Sequence, residues 1–205
     1  PIIVLKSGKS HEGSLAAKSH SGSLAGNDAA FDAAFQRAGI IRVNSIRQLF
    51  NCAQTLANQP RPKGKNLAII TNGGGPGVIA TDSLISARGK LATLSLDTID
   101  KLNESLPSTW SKRNPISILA DADAKRYRTA VELCLKDKNV DGILIILAPQ
   151  VLLDSSEVAR EIINIPNQKN KTILAAWLGE DGILEGREVL EKGNIPVFRM
   201  PENAV

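Results

Sequence analysis

The sequence contains few of the residue types that carry redox, metal or nucleic-acid chemistry. It has two cysteines, two histidines and 3% aromatic residues. Cys52 and Cys134 lack Cys-x-x-Cys spacing and occupy apolar positions of helical patterns, so we expect buried thiols in a reducing compartment. No Cys, His, Asp or Glu cluster has metal-ligand spacing, which predicts no metal site. Although the net charge is +4, there is no long basic run, which argues against nucleic-acid binding.

Long apolar runs and a hydrolase motif are also missing. No stretch approaches the roughly 18 apolar residues that span a bilayer, and the N-terminus lacks a signal-peptide pattern, so we expect a cytoplasmic protein without membrane contact. A Gly-x-Ser-x-Gly elbow is absent, which argues against a Ser-His-Asp hydrolase. The chain begins with Pro1 and runs directly into the apolar residues 2–5, a strand without a neighbour, so we expect a fragment with an incomplete first domain.

From residue 67 onward, apolar strands alternate with helical patterns. The predicted strands span 67–71, 91–94, 143–148, 172–177 and 195–199, and the predicted helices lie near 77–88, 96–106, 123–137, 156–164 and 182–192. Residues 143–147 are apolar without alternation, which indicates a central strand covered on both faces. This order predicts an α/β fold with a doubly wound parallel sheet.

Residues 1–60 show a shorter form of the same order. The Gly- and Ser-rich residues 6–26 predict a loop. Asn27 or Asp28 is predicted to cap a helix that ends at Gly39, followed by a strand over 40–43 and by a helix that begins at Ser45. The polar, proline-bearing residues 60–65 predict a boundary between domains 1–60 and 61–205.

A glycine turn after the strand 67–71 is the clearest candidate for a binding site. Its sequence is Thr71-Asn72-Gly73-Gly74-Gly75-Pro76-Gly77. Glycines let the backbone approach a ligand, Pro76 suits the first position of a helix, and free N–H groups at a helix N-terminus bind anions. The turn is neither Gly-x-Gly-x-x-Gly nor a P-loop. A bound anion and a simple chain reversal both fit this spacing.

The two histidines differ in their surroundings. His11 lies in a polar stretch and is predicted to be a solvated surface residue. His20 lies in Ser-His-Ser-Gly-Ser, where small neighbours leave the ring accessible and supply N–H groups and hydroxyls. A neutral imidazole can attack an activated phosphoryl group. An inert exposed histidine fits the same spacing.

Taken together, several segments resemble the NDP-forming acyl-CoA synthetases, the family of ADP-forming acetate–CoA ligase and a relative of succinyl-CoA synthetase. The segments are Lys6-Ser7-Gly8-Lys9-Ser10, residues 19–26, residues 33–43, residues 71–77 and Asn114-Pro115. The resemblance covers essentially the whole chain. It implies that residues 1–60 are the closing part of a flavodoxin-like phosphohistidine domain and that residues 61–205 are the second flavodoxin-like ligase domain.

The resemblance also implies a reaction and a site. Acyl-CoA, ADP and phosphate would give free acid, CoA and ATP, with His20 as the phosphorylated residue. Backbone donors beside His20 and in the glycine turn would hold the phosphoryl group. Three further residues would lie near the ligand at the same edge of the sheet. The implied phosphate-binding residues are Ser19, Ser21, Gly22, Asn72, Gly73, Gly74, Gly75 and Gly77, and the residues at the edge are Asn114, Pro115 and Ser117.

Partners and cofactors are implied in the same way. The family carries a Rossmann CoA-binding domain and an ATP-grasp domain, which bind CoA or acyl-CoA and ADP or ATP with Mg²⁺, on the same chain or on a partner subunit. An exposed strand edge would also favour a homo-oligomer.

Two departures from the family's pattern bear on the function. Ser21 replaces a threonine, and Ser117 replaces an aspartate whose loss could change the ligand site. The second departure leaves an alternative open, since the chain also resembles the synthetase-like, ligand-sensing part of bacterial protein lysine acetyltransferases, which would add an acetyltransferase domain. Retention of His20 favours the synthetase.

Overall fold

The computed structural model describes residues 1–22, 26–166 and 170–205, apart from the side chain of Ser21. The chain divides into two compact units, Pro1–Gln54 and Thr55–Val205. The division falls inside a helix, α3 (Ile46–Asn58). The assignment of residues 1–60 and 61–205 to two domains of the synthetase family stays a prediction.

The first unit contains a small parallel sheet and helices. Strands β1 (Ile3–Leu5) and β2 (Ile41–Val43) pair in parallel, and helices α1 (His11–Ser21) and α2 (Asp28–Ala38) lie between them in the chain. Asn27 caps α2 by accepting the N–H of Ala29, and Gly39 ends it with a φ of 64°. The sequence predictions of α2, α3 and β2 are confirmed, whereas the predicted loop over residues 6–26 is wrong, because it contains α1.

Ionic contacts, not apolar burial, connect the elements of the first unit. Arg42 on β2 donates to Asp28, at 2.6 Å, and to Asp32 on α2. Lys6, which follows β1, donates to Asp28 at 3.2 Å. The hydrogen bond from Arg42 holds the pKa of the Asp28 carboxyl below its ordinary value. These contacts attach α2 to both strands.

The apolar side chains of α2 and α3 are largely uncovered. Neither helix has a buried residue in the part of the chain that the structure describes. Phe31 is 40% exposed, Ile46 65% and Phe50 68%. The first unit therefore has very little hydrophobic core of its own.

The second unit is a parallel sheet flanked by helices on both faces. Its strands lie in the order β4-β3-β6-β7-β8, with β5 pairing to the end of β3, and every pairing is parallel. The strands are β3 (Asn66–Thr71), β4 (Lys90–Leu91), β5 (Ile116–Ser117), β6 (Gly142–Leu147), β7 (Thr172–Trp177) and β8 (Val197–Phe198). The helices are α4 (Gly74–Ser86), α5 (Leu96–Ser105), α6 (Ala124–Lys136), α7 (Ser155–Ile163) and α8 (Leu184–Lys192). The predicted parallel α/β fold is confirmed.

Alternate residues of the central strands point into two apolar layers. Ile143 and Ile145 of β6 join the larger layer, beneath α5 to α8, whereas Leu144 and Ile146 face α4. Every residue of β6 is buried, as the unbroken apolar run predicted. No described helix is both long and apolar enough to cross a membrane. The strand order is the flavodoxin-like one, which reverses between β3 and β6, where ligands of such sheets bind.

One side of β3 is completed by a side chain. The Nδ2 of Asn114 donates to the carbonyls of Leu67 and Ala92, and its Oδ1 accepts the N–H of Ile69. Asn114 thus bonds to β3 between the stretches that pair with β4 and β5. This explains why β4 ends at Leu91, short of the predicted 91–94, and why β5 forms where only a loop was expected.

Candidate functional site

The glycine turn joins the carboxyl end of β3 to α4. Strand β3 ends at Thr71, and α4 begins at Gly74, with Gly73 as its N-cap. The predicted start near residue 77 is wrong, and Pro76 is the third helical residue instead of the first. Proline is tolerated there because the first N–H groups of a helix have no partner within it.

Thr71 and Asn72 hold the turn against the sheet. The Thr71 hydroxyl accepts the N–H of Gly73 at 3.0 Å and donates to its carbonyl at 2.7 Å. Asn72 is 3% exposed. Its carboxamide donates to the carbonyl of Ala148 and accepts the N–H of Ala148, both at 2.8 Å. The Asn72 side chain is therefore committed to the loop after β6 and shapes the turn without facing a ligand.

The four glycines of the turn serve two purposes. A Cβ on Gly73 would lie 3.1 Å from the Cβ of Ala148, and one on Gly77 would lie 3.0 Å from the Cγ2 of Thr71, so both positions pack closely. A Cβ on Gly74 or Gly75 would meet nothing within 4 Å. Within the described ranges, the N–H groups of Gly74 and Gly75 have no hydrogen-bond partner. These two groups are the donors of a candidate anion site.

The residues after α5 are mostly structural. The Asn114–Pro115 peptide bond is cis, and the Asn114 carboxamide is fully used on the sheet. Ser111 Oγ donates to the carbonyl of Pro115 at 2.6 Å and accepts the N–H of Ser117 at 2.9 Å. Ser117 pairs with Thr71 at the carboxyl edge of the sheet, so it lies close to the glycine turn. Of the three predicted edge residues, Asn114 is used on the sheet, whereas Pro115 and Ser117 lie beside the glycine turn.

His20 is helical, and the prediction that it lies in a loop is wrong. Ser10 accepts the N–H of Gly13 and caps α1, which continues through Ser21 and ends at Gly22 with a φ of 72°. The capping serine overrides the weak helix propensity of the Ser- and Gly-rich segment. His20 is exposed in the last turn of α1. Its ring is therefore accessible, as predicted.

Two of the predicted donors beside His20 form hydrogen bonds within α1. Ser19 Oγ donates to the carbonyl of Leu15 at 3.2 Å. The N–H of Gly22 closes the helix by bonding to the carbonyl of Lys18 at 2.9 Å. The side chain of Ser21 lies outside the described residues. The Ser19 hydroxyl and the N–H of Gly22 are therefore already engaged within α1.

The two thiols and a cavity at the opposite edge of the sheet contribute no chemistry to this site. Burial raises the pKa of the Cys134 thiol to about 12, as expected of a core residue. Cys52 is only half-buried, so the prediction of two buried thiols is wrong for this residue.

A cavity of about 870 Å³ lies at the opposite, amino-terminal edge of the sheet, where Gln59 and Asn194 line it. In the described ranges no group of His, Cys, Asp and Glu could hold a metal ion.

Two elements can thus act on a phosphoryl group. His20 in the first unit is an accessible nucleophile, and the start of α4 in the second unit offers free N–H donors at the positive end of a helix. Sequence reasoning had missed Thr71 as the residue that shapes the turn. The signal for it was a hydroxyl residue at the strand end, directly before the glycines.

Comparison with known proteins identifies the chain's relatives. Residues 1–56 match the family model described as succinyl-CoA ligase like flavodoxin domain. The whole chain is 36% identical to 4-hydroxybutyrate–CoA ligase (ADP-forming) of Nitrosopumilus maritimus and covers 29% of its length. The chain is a homologue of one segment of the ADP-forming CoA ligases.

Further relatives of the ADP-forming CoA ligases agree with this. The alpha subunit of acetate–CoA ligase (ADP-forming) II of Pyrococcus furiosus is 37% identical over 99% of the chain, which covers 45% of that subunit. The solved acetyl-coenzyme A synthetase 1 of Ca. Korarchaeum cryptofilum, in complex with phosphate and ADP, is 30% identical, with a TM-score of 0.93 over 100% of the chain and 44% of that structure. The chain thus spans less than half the length of these ligases.

Proposed function

We propose that this chain is the phosphoryl-carrying part of an ADP-forming acyl-CoA synthetase. In the reaction, phosphate displaces CoA from acyl-CoA to give an acyl phosphate. An imidazole nitrogen of His20 then attacks the phosphorus, and the carboxylic acid leaves. ADP finally takes the phosphoryl group from His20 to form ATP, which returns the histidine to its neutral state. The observation that carries the proposal is the accessible His20 in a chain that resembles ADP-forming ligases from end to end.

The positions of the two elements within their helices support this assignment. His20 lies in the last turn of α1, where the helix dipole disfavours an anion by about 0.3–1 kcal/mol. The start of α4 favours an anion for the same reason. A phosphoryl group would therefore be destabilised on its carrier and stabilised by the N–H groups of Gly74 and Gly75. This suits a group that is transferred and not retained.

The remaining parts of the reaction belong to further domains. We propose that a CoA-binding Rossmann domain and an ATP-grasp domain, on the same chain or on a partner subunit, bind acyl-CoA and the Mg²⁺-nucleotide. They would also cover the exposed apolar residues of α2 and α3. A homo-oligomer and a cytoplasmic location, where CoA and nucleotides are available, complete the proposal. The ligase relatives favour this function over the acetyltransferase alternative.

The test is ATP formation from acetyl-CoA, ADP and phosphate by the full-length protein that carries this chain. His20→Asn should lower kcat by at least about 1000-fold, because it removes the nucleophile. His11→Asn is the matched control on the same helix and should retain activity. Activity of His20→Asn within about tenfold of the wild type, or ATP formation that needs AMP and pyrophosphate in place of ADP and phosphate, would refute the proposal.

A further inference from the structure

The ends of β3 and β6 part at the point where the proposed anion site begins. Thr71 opposite Ile146 is the last pair of their ladder, and the glycine turn follows directly. Beyond this pair the main chains of the two strands no longer bond to each other. Something other than the ladder must therefore fix where the turn leaves the sheet.

The phenol of Tyr127, on α6, occupies the place where the strands part. Its side chain is fully buried, and its hydroxyl donates to the carbonyl of Ile146 at 3.0 Å. The main-chain N–H of Asn72 lies near the same oxygen. The hydroxyl thus bonds to the last residue of β6 that pairs with β3, beside the first residue after β3.

A second side chain extends this connection. The Asn72 carboxamide bonds to both main-chain groups of Ala148, two residues beyond the carbonyl that Tyr127 contacts. The phenol and the carboxamide together continue the ladder between β3 and β6 by side-chain hydrogen bonds. Gly74 and Gly75 follow Asn72 by two and three residues, and their N–H groups are unpaired within the described ranges.

We infer that Tyr127 is a positioning residue, whose hydroxyl sets the separation of the two strand ends and so the direction of the N–H groups of Gly74 and Gly75. This inference rests on the proposed function. Electrostatic stabilisation depends on donors that are already oriented when the charged group arrives, and a misplacement of about 1 Å is costly. Tyr127 would act without touching substrate.

Burial keeps the phenol suited to this task. Burial raises the pKa of Tyr127 far above its ordinary value, and the N–H of Asn72 offsets part of the rise. The hydroxyl therefore remains a proton donor to Ile146 throughout the physiological range. Phenylalanine would fill the same space and remove only the hydroxyl, so Tyr127→Phe leaves the shape of the side chain nearly unchanged.

The first experiment compares Tyr127→Phe with Val131→Ala in the full-length protein. Val131 is buried one turn further along α6, so Val131→Ala weakens the same helix without touching the turn. With acetyl-CoA, ADP and phosphate as substrates, Tyr127→Phe should raise the KM for phosphate about 5- to 10-fold and leave the KM for acetyl-CoA unchanged. Val131→Ala should change neither constant. Equal effects of the two variants on both constants would overturn the inference.

The second experiment does not depend on activity. Amide hydrogen exchange, followed by mass spectrometry, should show the paired N–H groups of Gly73 and Gly77 exchanging about tenfold faster in Tyr127→Phe than in the wild type or in Val131→Ala. Unchanged exchange in Tyr127→Phe would overturn the positioning role. If exchange rises as expected but the wild-type protein forms no ATP, the positioning role stands and the proposed function fails.

Discussion

Two regions carry the candidate chemistry, and they are built in opposite ways. His20 is exposed in the last turn of α1, within a unit whose helices α2 and α3 bury no described residue. The glycine turn is attached by the Thr71 and Asn72 side chains to a sheet whose strand β6 is buried throughout. One region is open, and the other is fixed in place.

The difference corresponds to two chemical tasks. A nucleophile that accepts a phosphoryl group from one molecule and gives it to another must be reachable, which excludes burial. Donors that stabilise a charged group work best when they are held in position beforehand, which requires a rigid frame. In our proposal the first unit supplies the phosphoryl carrier, and the second unit supplies prearranged N–H groups that stabilise the phosphoryl group.

Among changes in the glycine turn, the largest effect should come from placing a charge in front of the N–H groups of α4. Gly75→Asp would put a carboxylate at the N–H groups of α4, where it competes with a phosphoryl group. With an interaction of about 2 kcal/mol, ATP formation should fall by about 30-fold. Aspartate near a helix start also favours the helix, so the loss would not reflect unfolding.

Gly75→Ala is the matched control for this variant. The Cβ would meet nothing within 4 Å, and alanine favours a helix over glycine by about 1 kcal/mol. Activity should therefore remain near that of the wild type, as steady-state assays of both variants can measure. Equal losses in the two variants would mean that the turn needs glycine for shape and does not receive an anion.

A smaller effect, on stability, should distinguish the rigid region from the open one. Asn72→Ala leaves the N–H and the carbonyl of Ala148 without partners and should lower the free energy of unfolding by about 2–4 kcal/mol. Phe50→Ala removes a much larger side chain, but Phe50 is 68% exposed, so the loss should stay below about 1 kcal/mol.

Urea unfolding of the 205-residue chain, followed by circular dichroism, provides both values. A larger loss for Phe50→Ala than for Asn72→Ala would break the contrast between the two regions. It would show that α3 has an apolar contact that its exposure does not reveal.

The sheet of the second unit was predictable because its strands are uninterrupted apolar runs. The unbroken apolar stretch over 143–147 could only be a strand buried on both faces, and β6 is one. The sequence also pointed to the glycine turn and to the accessible ring of His20. These features depend on neighbours in the sequence, and local patterns reveal them.

The missed features depend on distant contacts or on competing local preferences. Asn114 bonds to Ile69, which lies 45 residues earlier, and no local pattern reports such a bond. The contact of Tyr127 with Ile146 is hidden for the same reason, since tyrosine on an apolar helix face is an ordinary core residue. Helix α1 was missed because its serines and glycine favour a loop, whereas the cap at Ser10 outweighs them.

The most direct test of the central claim is the site of covalent phosphorylation. The full-length protein would be incubated with acetyl-CoA and radiolabelled phosphate in the absence of ADP, so that a phosphoryl group on the carrier accumulates. We predict label that is acid-labile and base-stable, that resides on the peptide containing His20, and that is lost when ADP is added. His11→Ala should label like the wild type, and His20→Ala should not label. Equal labelling of His20→Ala and the wild type, or label that survives acid, would contradict the account.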